Sequence, residues 1–140
     1  MKLEGVFLYY DKENGNGRIY TKEVAEDIIN QFKEKDKSVA YGECGMPDSF
    51  VTNLVNVSHV VKDIWLDEKE KCIKGTIETL DLDKGKKIET LMESGIPLSV
   101  ASRGSGTINE KGEVENYQLY AFDIIPTEKS SFKGPLKITD

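Results

Sequence analysis

The sequence predicts an α+β domain built on a mostly antiparallel sheet, or a partly closed β-barrel, flanked by two helices. Segments with strand patterns outnumber segments with helical patterns, and short turns separate several of the strands, which favours local antiparallel pairing. The chain has 140 residues, the length of one domain, so we expect residues 1–140 to form a single domain.

The first half of the chain is predicted to contain a strand, a helix and a β-hairpin. β-branched and aromatic residues are frequent over Lys2–Tyr10, and the turn formers DKENGNG follow them. Thr21 can cap a helix that runs to about residue 35. Alternating apolar and polar residues predict a strand over about 55–65, with His59 on its apolar face. After the turn DEKEK, the segment CIKGTIETL is its predicted hairpin partner.

The second half is predicted to contain one helix followed by strands. Ile88 and its apolar neighbours at helical spacing indicate a helix over Gly85–Ser94, with Gly95 as its stop. The segments LSVAS, SGTIN and VENYQLYAFDII have strand patterns, and EKGE is the turn between the last two.

Composition and charge exclude several classes of function. The net charge is −6 with scattered basic residues, so we expect no nucleic-acid partner. The apolar run near the start is too short for a signal peptide or a membrane span, so we expect no membrane association. Two cysteines without a CxxC pair and a single histidine argue against a zinc site or a disulfide framework. No metal or cofactor is therefore expected.

Three groups of residues could carry chemistry. Ser102 could be a nucleophile, with Arg103 and the backbone near Gly104 as oxyanion donors, although a serine beside an RG turn is also common in strand-end packing. His59 could be a base, or a structural histidine with hydrogen-bond partners. Cys44 could form a thiolate, or be a small buried apolar residue.

Three carboxylates complete this inventory. Any of them could orient a histidine, or be a solvated or loop hydrogen-bonding side chain: Glu43, Asp48 and Asp123.

An ordered set of segments covers almost the whole chain and resembles one protein family. The segments are NGRIYTKEVAEDII, GECGMPDS, VSHVVKDIW, a hairpin ending in GTIETL, DKGKKIETLMESGIPLSVASRG, and YAFDII followed by a proline. Together they resemble the T4-type prohead core protease of tailed phages, a serine protease with a fold related to the herpesvirus assemblin. The resemblance implies a prohead-protease/assemblin-like fold.

The same resemblance locates the catalytic positions and finds both of them changed. In the family the loop typically reads like GELxHP, with its histidine as general base, and the later segment like GVSSRG, with its first serine as nucleophile. Here Met46 and Ala101 stand at these positions. A thioether does not accept a proton at neutral pH, and a methyl group cannot attack a carbonyl. The double change indicates a natural loss rather than an engineered knockout.

Residues around the two positions are retained, and they leave one fallback arrangement. The residual surround comprises Glu43, Ser102, Arg103, Gly104 and Asp123. A displaced Ser102–His59 dyad could replace the lost groups. A shift of one residue along a strand reverses the side chain's face, however, so we expect Ser102 to point away from the side of Ala101.

The resemblance therefore implies a catalytically inactive prohead-protease-like protein with a structural or assembly role in a tailed-phage head or virion. Capsid, scaffold or portal proteins are the implied partners, and a homo-oligomer is compatible with the family. The implied location is the virion, or the host cytoplasm during assembly. Two alternatives stay open: an active serine endopeptidase that processes scaffold and capsid proteins, and a regulatory pseudoenzyme that occupies a surface of an active protease.

Overall fold

A computed structural model describes residues 1–34, 37–45, 47 and 49–140. The elements in chain order are β1 (Lys2–Tyr9), α1 (Lys22–Glu34), β2 (Tyr41–Glu43), β3 (Val57–Asp67), β4 (Cys72–Thr79), α2 (Asp83–Glu93), β5 (Leu98–Ile108), β6 (Val114–Pro126) and β7 (Lys137–Ile138). Short 3-10 turns lie at Lys37–Val39, Leu54–Asn56 and Thr127–Lys129. In the described part of the chain, neither α-helix is long and apolar enough to cross a membrane.

Two antiparallel sheets and two α-helices confirm the predicted α+β class, and the sheets do not close into a barrel. One sheet has five strands in the order β2-β3-β4-β1-β7, and the other is the β5–β6 hairpin. The two sheets meet at the end of β2, where the N–H of Gly45 donates to the carbonyl of Ile124 at 2.8 Å. The hairpin therefore packs beside the β2 edge of the larger sheet.

Both predicted helices are present, although α2 begins at Asp83, two residues before its predicted start, and the predicted end of α1 at residue 35 lies outside the described residues. Thr21 caps α1 by accepting a hydrogen bond from the N–H of Val24 at 3.2 Å, and Ile28 is fully buried on the inner face of that helix. After α2, Gly95 adopts a φ of +78°, the left-handed conformation that glycine allows at a helix end. These local signals mark where α1 begins and where α2 ends.

The core lies between the larger sheet, the helices and the inner face of the hairpin. The ring centroids of Phe7 on β1 and Phe122 on β6 are 5.0 Å apart, and this contact joins the two sheets. Gly75 leaves room for Phe7, because a Cβ on this glycine would lie 2.6 Å from the phenyl ring. The core therefore places β6 directly against the larger sheet.

Several boundaries differ from the sequence prediction. Val55 lies in the Leu54–Asn56 turn and is 78% exposed, so its predicted place on the β3 apolar face is wrong. LSVAS and SGTIN form one continuous strand, β5, because β6 offers a partner along that whole length. The two short strands β2 and β7 were not predicted, since their two or three residues give no periodic pattern.

Candidate functional site

Ala101 and Ser102 occupy opposite faces of β5. Ala101 pairs with Asp123 of β6, and Ser102 pairs with Phe122. Directly paired residues of an antiparallel ladder share a face, while successive residues alternate between faces. Ala101 therefore lies on the face of Asp123, whereas Ser102 lies on the face of Phe122.

A buried ionic network fills the Ala101 face of the hairpin. The Arg103 guanidinium binds both Asp123 oxygens, with Nε–Oδ2 at 2.9 Å and Nη2–Oδ1 at 3.2 Å. Its Nη2 also lies 3.3 Å from Glu43 Oε2. All three side chains are at most 5% exposed, and the backbone N–H of Glu43 donates to Asp123 at 2.9 Å. The single positive charge of Arg103 therefore balances only one of the two buried carboxylates, Asp123 and Glu43.

The pKa of Asp123 is raised above its ordinary value by burial, against the opposing effect of the Arg103 hydrogen bonds. The network also reaches the loop between β2 and β3. Arg103 donates from Nη2 to Thr52 Oγ1 at 3.0 Å, and Glu43 accepts from the N–H of Asn53 at 2.9 Å. These contacts fasten the loop to the hairpin.

The Ser102 face has a different composition. The Ser102 side chain interacts with the side chains of Tyr20 and Tyr117, whose ring centroids are 5.6 Å apart. Burial raises the pKa of both tyrosines, and the interaction with Ser102 opposes the rise. Gly104 is required here, because a Cβ on it would collide with the Tyr117 ring and the Gln118 carbonyl. Ser102 is therefore part of a tyrosine cluster.

His59 is fully buried, and both of its ring nitrogens have partners. Nε2 lies 2.8 Å from the Phe122 carbonyl, and Nδ1 lies 2.7 Å from Ser58 Oγ. A carbonyl can only accept, so Nε2 carries the proton and Nδ1 accepts from the serine. Burial lowers the pKa of His59 to about 4, so the ring is neutral at pH 7. Gly42 permits this contact, since a Cβ there would overlap His59 Nε2 and the Phe122 carbonyl.

This geometry does not favour the fallback dyad. Neither hydrogen-bond partner of the His59 ring is Ser102, and Ser102 lies on the tyrosine face of the hairpin. Cys44 is half-buried, and burial raises the pKa of its thiol, which disfavours a thiolate. The three candidate residues of the sequence, Ser102, His59 and Cys44, therefore lie in three separate environments.

Two of the predicted positions, Met46 and Asp48, lie outside the described residues. Pro47 lies between them and lines an open cleft of about 820 Å³ beside β5. The cleft is also lined by Phe50, Ser102, Gly104 and Tyr117. Among the residues that the structure describes, no group of three or more His, Cys, Asp or Glu side chains could hold a metal ion.

Sequence reasoning missed the tyrosine cluster and the loop asparagines. Tyr20 and Tyr117 come from distant segments, and their meeting depends on how α1 and its preceding loop pack on the hairpin. Asn53 gives a weak local signal, because asparagine often caps a short helix, and here it accepts from the N–H of Val55. Its contact with Glu43 has no sequence signature.

Comparison with known protein families identifies the class to which this chain belongs. A family model described as prohead core protein serine protease matches residues 1–125, and the chain belongs to this family. The resemblance drawn from the ordered segments is therefore confirmed at the level of the family.

Two comparisons with bacteriophage T4, one of sequence and one of structure, illustrate the relationship. The chain is 22% identical over 113 residues to the T4 prohead core protein protease, a match that covers 79% of this chain and 53% of the relative. The chain thus matches about half the length of this curated relative. A solved structure of the T4 capsid assembly protease superposes with a TM-score of 0.76 at 26% identity, covering 88% of this chain and 79% of that one.

Proposed function

We propose that the chain acts in tailed-phage head assembly without cutting peptide bonds. The observation that carries this proposal is Ala101, which shares a hairpin face with Asp123 and Arg103. The family resemblance assigns the nucleophile to this position. A methyl group there offers no atom that could attack a carbonyl.

The remaining candidate groups support the same conclusion. Methionine at position 46 supplies no base. The neutral His59 ring is occupied on both nitrogens, and Ser102 lies on the other face of the hairpin. The single histidine of the chain is therefore not free to activate a serine at the position of Ala101, and Asp123, the carboxylate paired with that position, is bound by Arg103.

Membership of the family supports a proposal about binding partners and location. The T4 sequence match is described as a prohead core protein protease, and the T4 structure match as a capsid assembly protease. We infer that capsid, scaffold or portal proteins bind this chain, and that it is located in the host cytoplasm during assembly or in the virion. Mass spectrometry of mature particles tests the last point, because a purely transient factor would be absent from them.

The absence of catalysis is tested with a fluorophosphonate probe, which labels activated serines. We expect no labelling of the wild-type protein, and the Ser102→Ala variant is its matched control. Labelling of the wild type that disappears in Ser102→Ala would establish an active serine endopeptidase and overturn the proposal. The assignment of the two lost positions is tested by the Met46→His, Ala101→Ser double variant, which we expect to gain labelling that Ala101→Ser alone lacks.

A further inference from the structure

The loop between β1 and α1 contains two Asn-Gly pairs in succession, Asn14-Gly15 and Asn16-Gly17. No other asparagine of the chain precedes a glycine. An asparagine side chain is thermolabile, because the backbone nitrogen of the next residue can attack its amide carbon. A glycine in that place leaves the nitrogen unshielded, since it has no side chain. The sequence therefore indicates two candidate sites of spontaneous deamidation and does not distinguish between them.

Three hydrogen bonds hold Asn14 and the peptide group that follows it. Asn14 Oδ1 accepts from the backbone N–H of Asn16 at 2.9 Å and from that of Arg18 at 3.0 Å. The N–H of Gly15, whose nitrogen would attack Asn14, donates to the carbonyl of Ser131 at 3.0 Å. Ser131 belongs to the segment after β6, so this bond ties the loop to the body of the protein. The Asn14 side chain reaches the nitrogen of Gly15 only when these bonds break.

Asn16 lacks these restraints. Asn16 is exposed, and its side chain makes no hydrogen bond to the described part of the chain. The N–H of Gly17, whose nitrogen would attack Asn16, donates to the carbonyl of Asn14 at 3.0 Å, a bond within the exposed turn. The space beside Gly17 is open, because the nearest atom to a Cβ built there is Glu13 Oε1 at 3.7 Å. A single turn hydrogen bond therefore has to open before Asn16 reacts.

We propose that Asn16 is a site of spontaneous deamidation and that the fold protects Asn14 from the same reaction. The backbone nitrogen of Gly17 attacks Cγ of Asn16, the carbon–nitrogen bond of the side-chain amide breaks, and ammonia leaves with the proton of the backbone nitrogen. Water then opens the succinimide ring to an aspartate or an isoaspartate residue. Water is the only co-reactant, so the modification does not depend on whether the chain cuts peptides.

The modification would add a negative charge where two cavities meet. Asn16, Arg18 and Lys129 line one crevice of about 120 Å³ between the loop, β5 and the segment after β6. Within the described part of the chain, no carboxylate side chain lines this crevice. Arg18 also lines the larger cleft beside β5. Deamidation therefore introduces a carboxylate into a crevice that shares a cation with that cleft.

Time-resolved peptide mapping by mass spectrometry tests the proposal on the folded chain at mildly alkaline pH. We expect Asn16 to convert at least about tenfold faster than Asn14, because two more hydrogen bonds restrain Asn14. In guanidinium chloride, which unfolds the chain, both pairs should convert at similar rates. Equal rates in the folded chain, or faster conversion of Asn14, overturns the proposal. A preference for Asn16 that persists in guanidinium chloride would also overturn it, since the sequence and not the fold would then select the site.

Ion-exchange chromatography gives a second readout with matched variants, each checked for folding by circular dichroism. The wild type should accumulate an acidic species that elutes with the Asn16→Asp variant. Asn16→Gln should accumulate this species much more slowly, because attack on a glutamine amide forms a larger ring. Asn14→Gln is the matched control and should accumulate it at least as fast as the wild type. An acidic species that persists in Asn16→Gln and disappears in Asn14→Gln would assign the reaction to Asn14 and contradict the proposal.

Discussion

On one face of the β5–β6 hairpin, Ala101 lies across from Asp123 beside a buried guanidinium, while on the other face Ser102 lies among tyrosines. The two residues are adjacent in sequence, yet Ala101 lies on the face of the buried charges and Ser102 on the face of the aromatic rings. The alternation of a β-strand separates them. The Ser102 hydroxyl, one residue along the strand, therefore lies on the opposite face of the hairpin from Ala101.

The largest expected effect comes from removing the cation of the charged face. Arg103→Leu leaves Asp123 and Glu43 buried without a counterion, and we expect a loss of about 3–5 kcal/mol in the free energy of unfolding. Urea denaturation measures this loss. Lys86→Leu is the control, because the Lys86–Asp81 pair is exposed and should contribute less than about 1 kcal/mol. A loss below about 1 kcal/mol for Arg103→Leu would show that the network does not support the fold.

The tyrosine face should be sensitive to steric change. Gly104→Ala places a methyl group against the Tyr117 ring and the Gln118 carbonyl, and we expect a destabilisation of about 3 kcal/mol. Gly134→Ala is the control, since the nearest atom to a Cβ there is 3.9 Å away. Thermal and urea unfolding of both variants give the comparison, and equal stabilities would contradict the packing described for this face.

His59 should make stability depend on pH. Its pKa in the folded chain is about 4, against an ordinary value of 6.5, so the unfolded chain binds the extra proton between these pH values. Stability should therefore fall by about 2 kcal/mol as the pH drops from 7 to 5. A His59→Gln variant should lack this fall. Parallel pH profiles for the two proteins would mean that His59 is not held neutral.

The smallest effect is expected for Ser102→Ala. Because the Ser102 side chain opposes the rise in the pKa of Tyr20, its removal should raise that pKa further, which ultraviolet titration of the tyrosines detects. The free energy of unfolding should change by less than about 1 kcal/mol. Ala101→Ser is the comparison variant and should leave the tyrosine titration unchanged. A shift in that variant instead would contradict the separation of the two faces.

Exposed apolar side chains show a limit of the sequence prediction. From the sequence alone, an exposed aromatic patch is sought at four residues, with core packing as the alternative: Tyr9, Tyr10, Trp65 and Tyr120. Tyr10 is 3% exposed and belongs to the core. The large apolar side chains that are exposed together are Phe50, Val51, Leu54 and Val55. They lie in the loop between β2 and β3, whose backbone is hydrogen-bonded to the buried side chains of Glu43 and Arg103. Valine and leucine in a short segment carry no local signal for this arrangement.

Local signals in the sequence were sufficient for both helices, the main strands and the family. Periodicity, a threonine cap and a helix-ending glycine predicted both helices and the main strands, because each signal depends on neighbouring residues. That Met46 and Ala101 stand at the catalytic positions of the family is a prediction from the same ordered segments. That residues 1–140 form one domain, and that the chain is inactive, stay predictions.

The environment of each candidate residue was decided by tertiary structure. The sequence listed Ser102, His59, Arg103 and Asp123 without separating active from structural roles. Packing of β6 against β2 and β3 buried the His59 ring against the Phe122 carbonyl, and the hairpin register paired Arg103 with Asp123. Register and burial depend on contacts between distant segments, so no local pattern of residues encodes them.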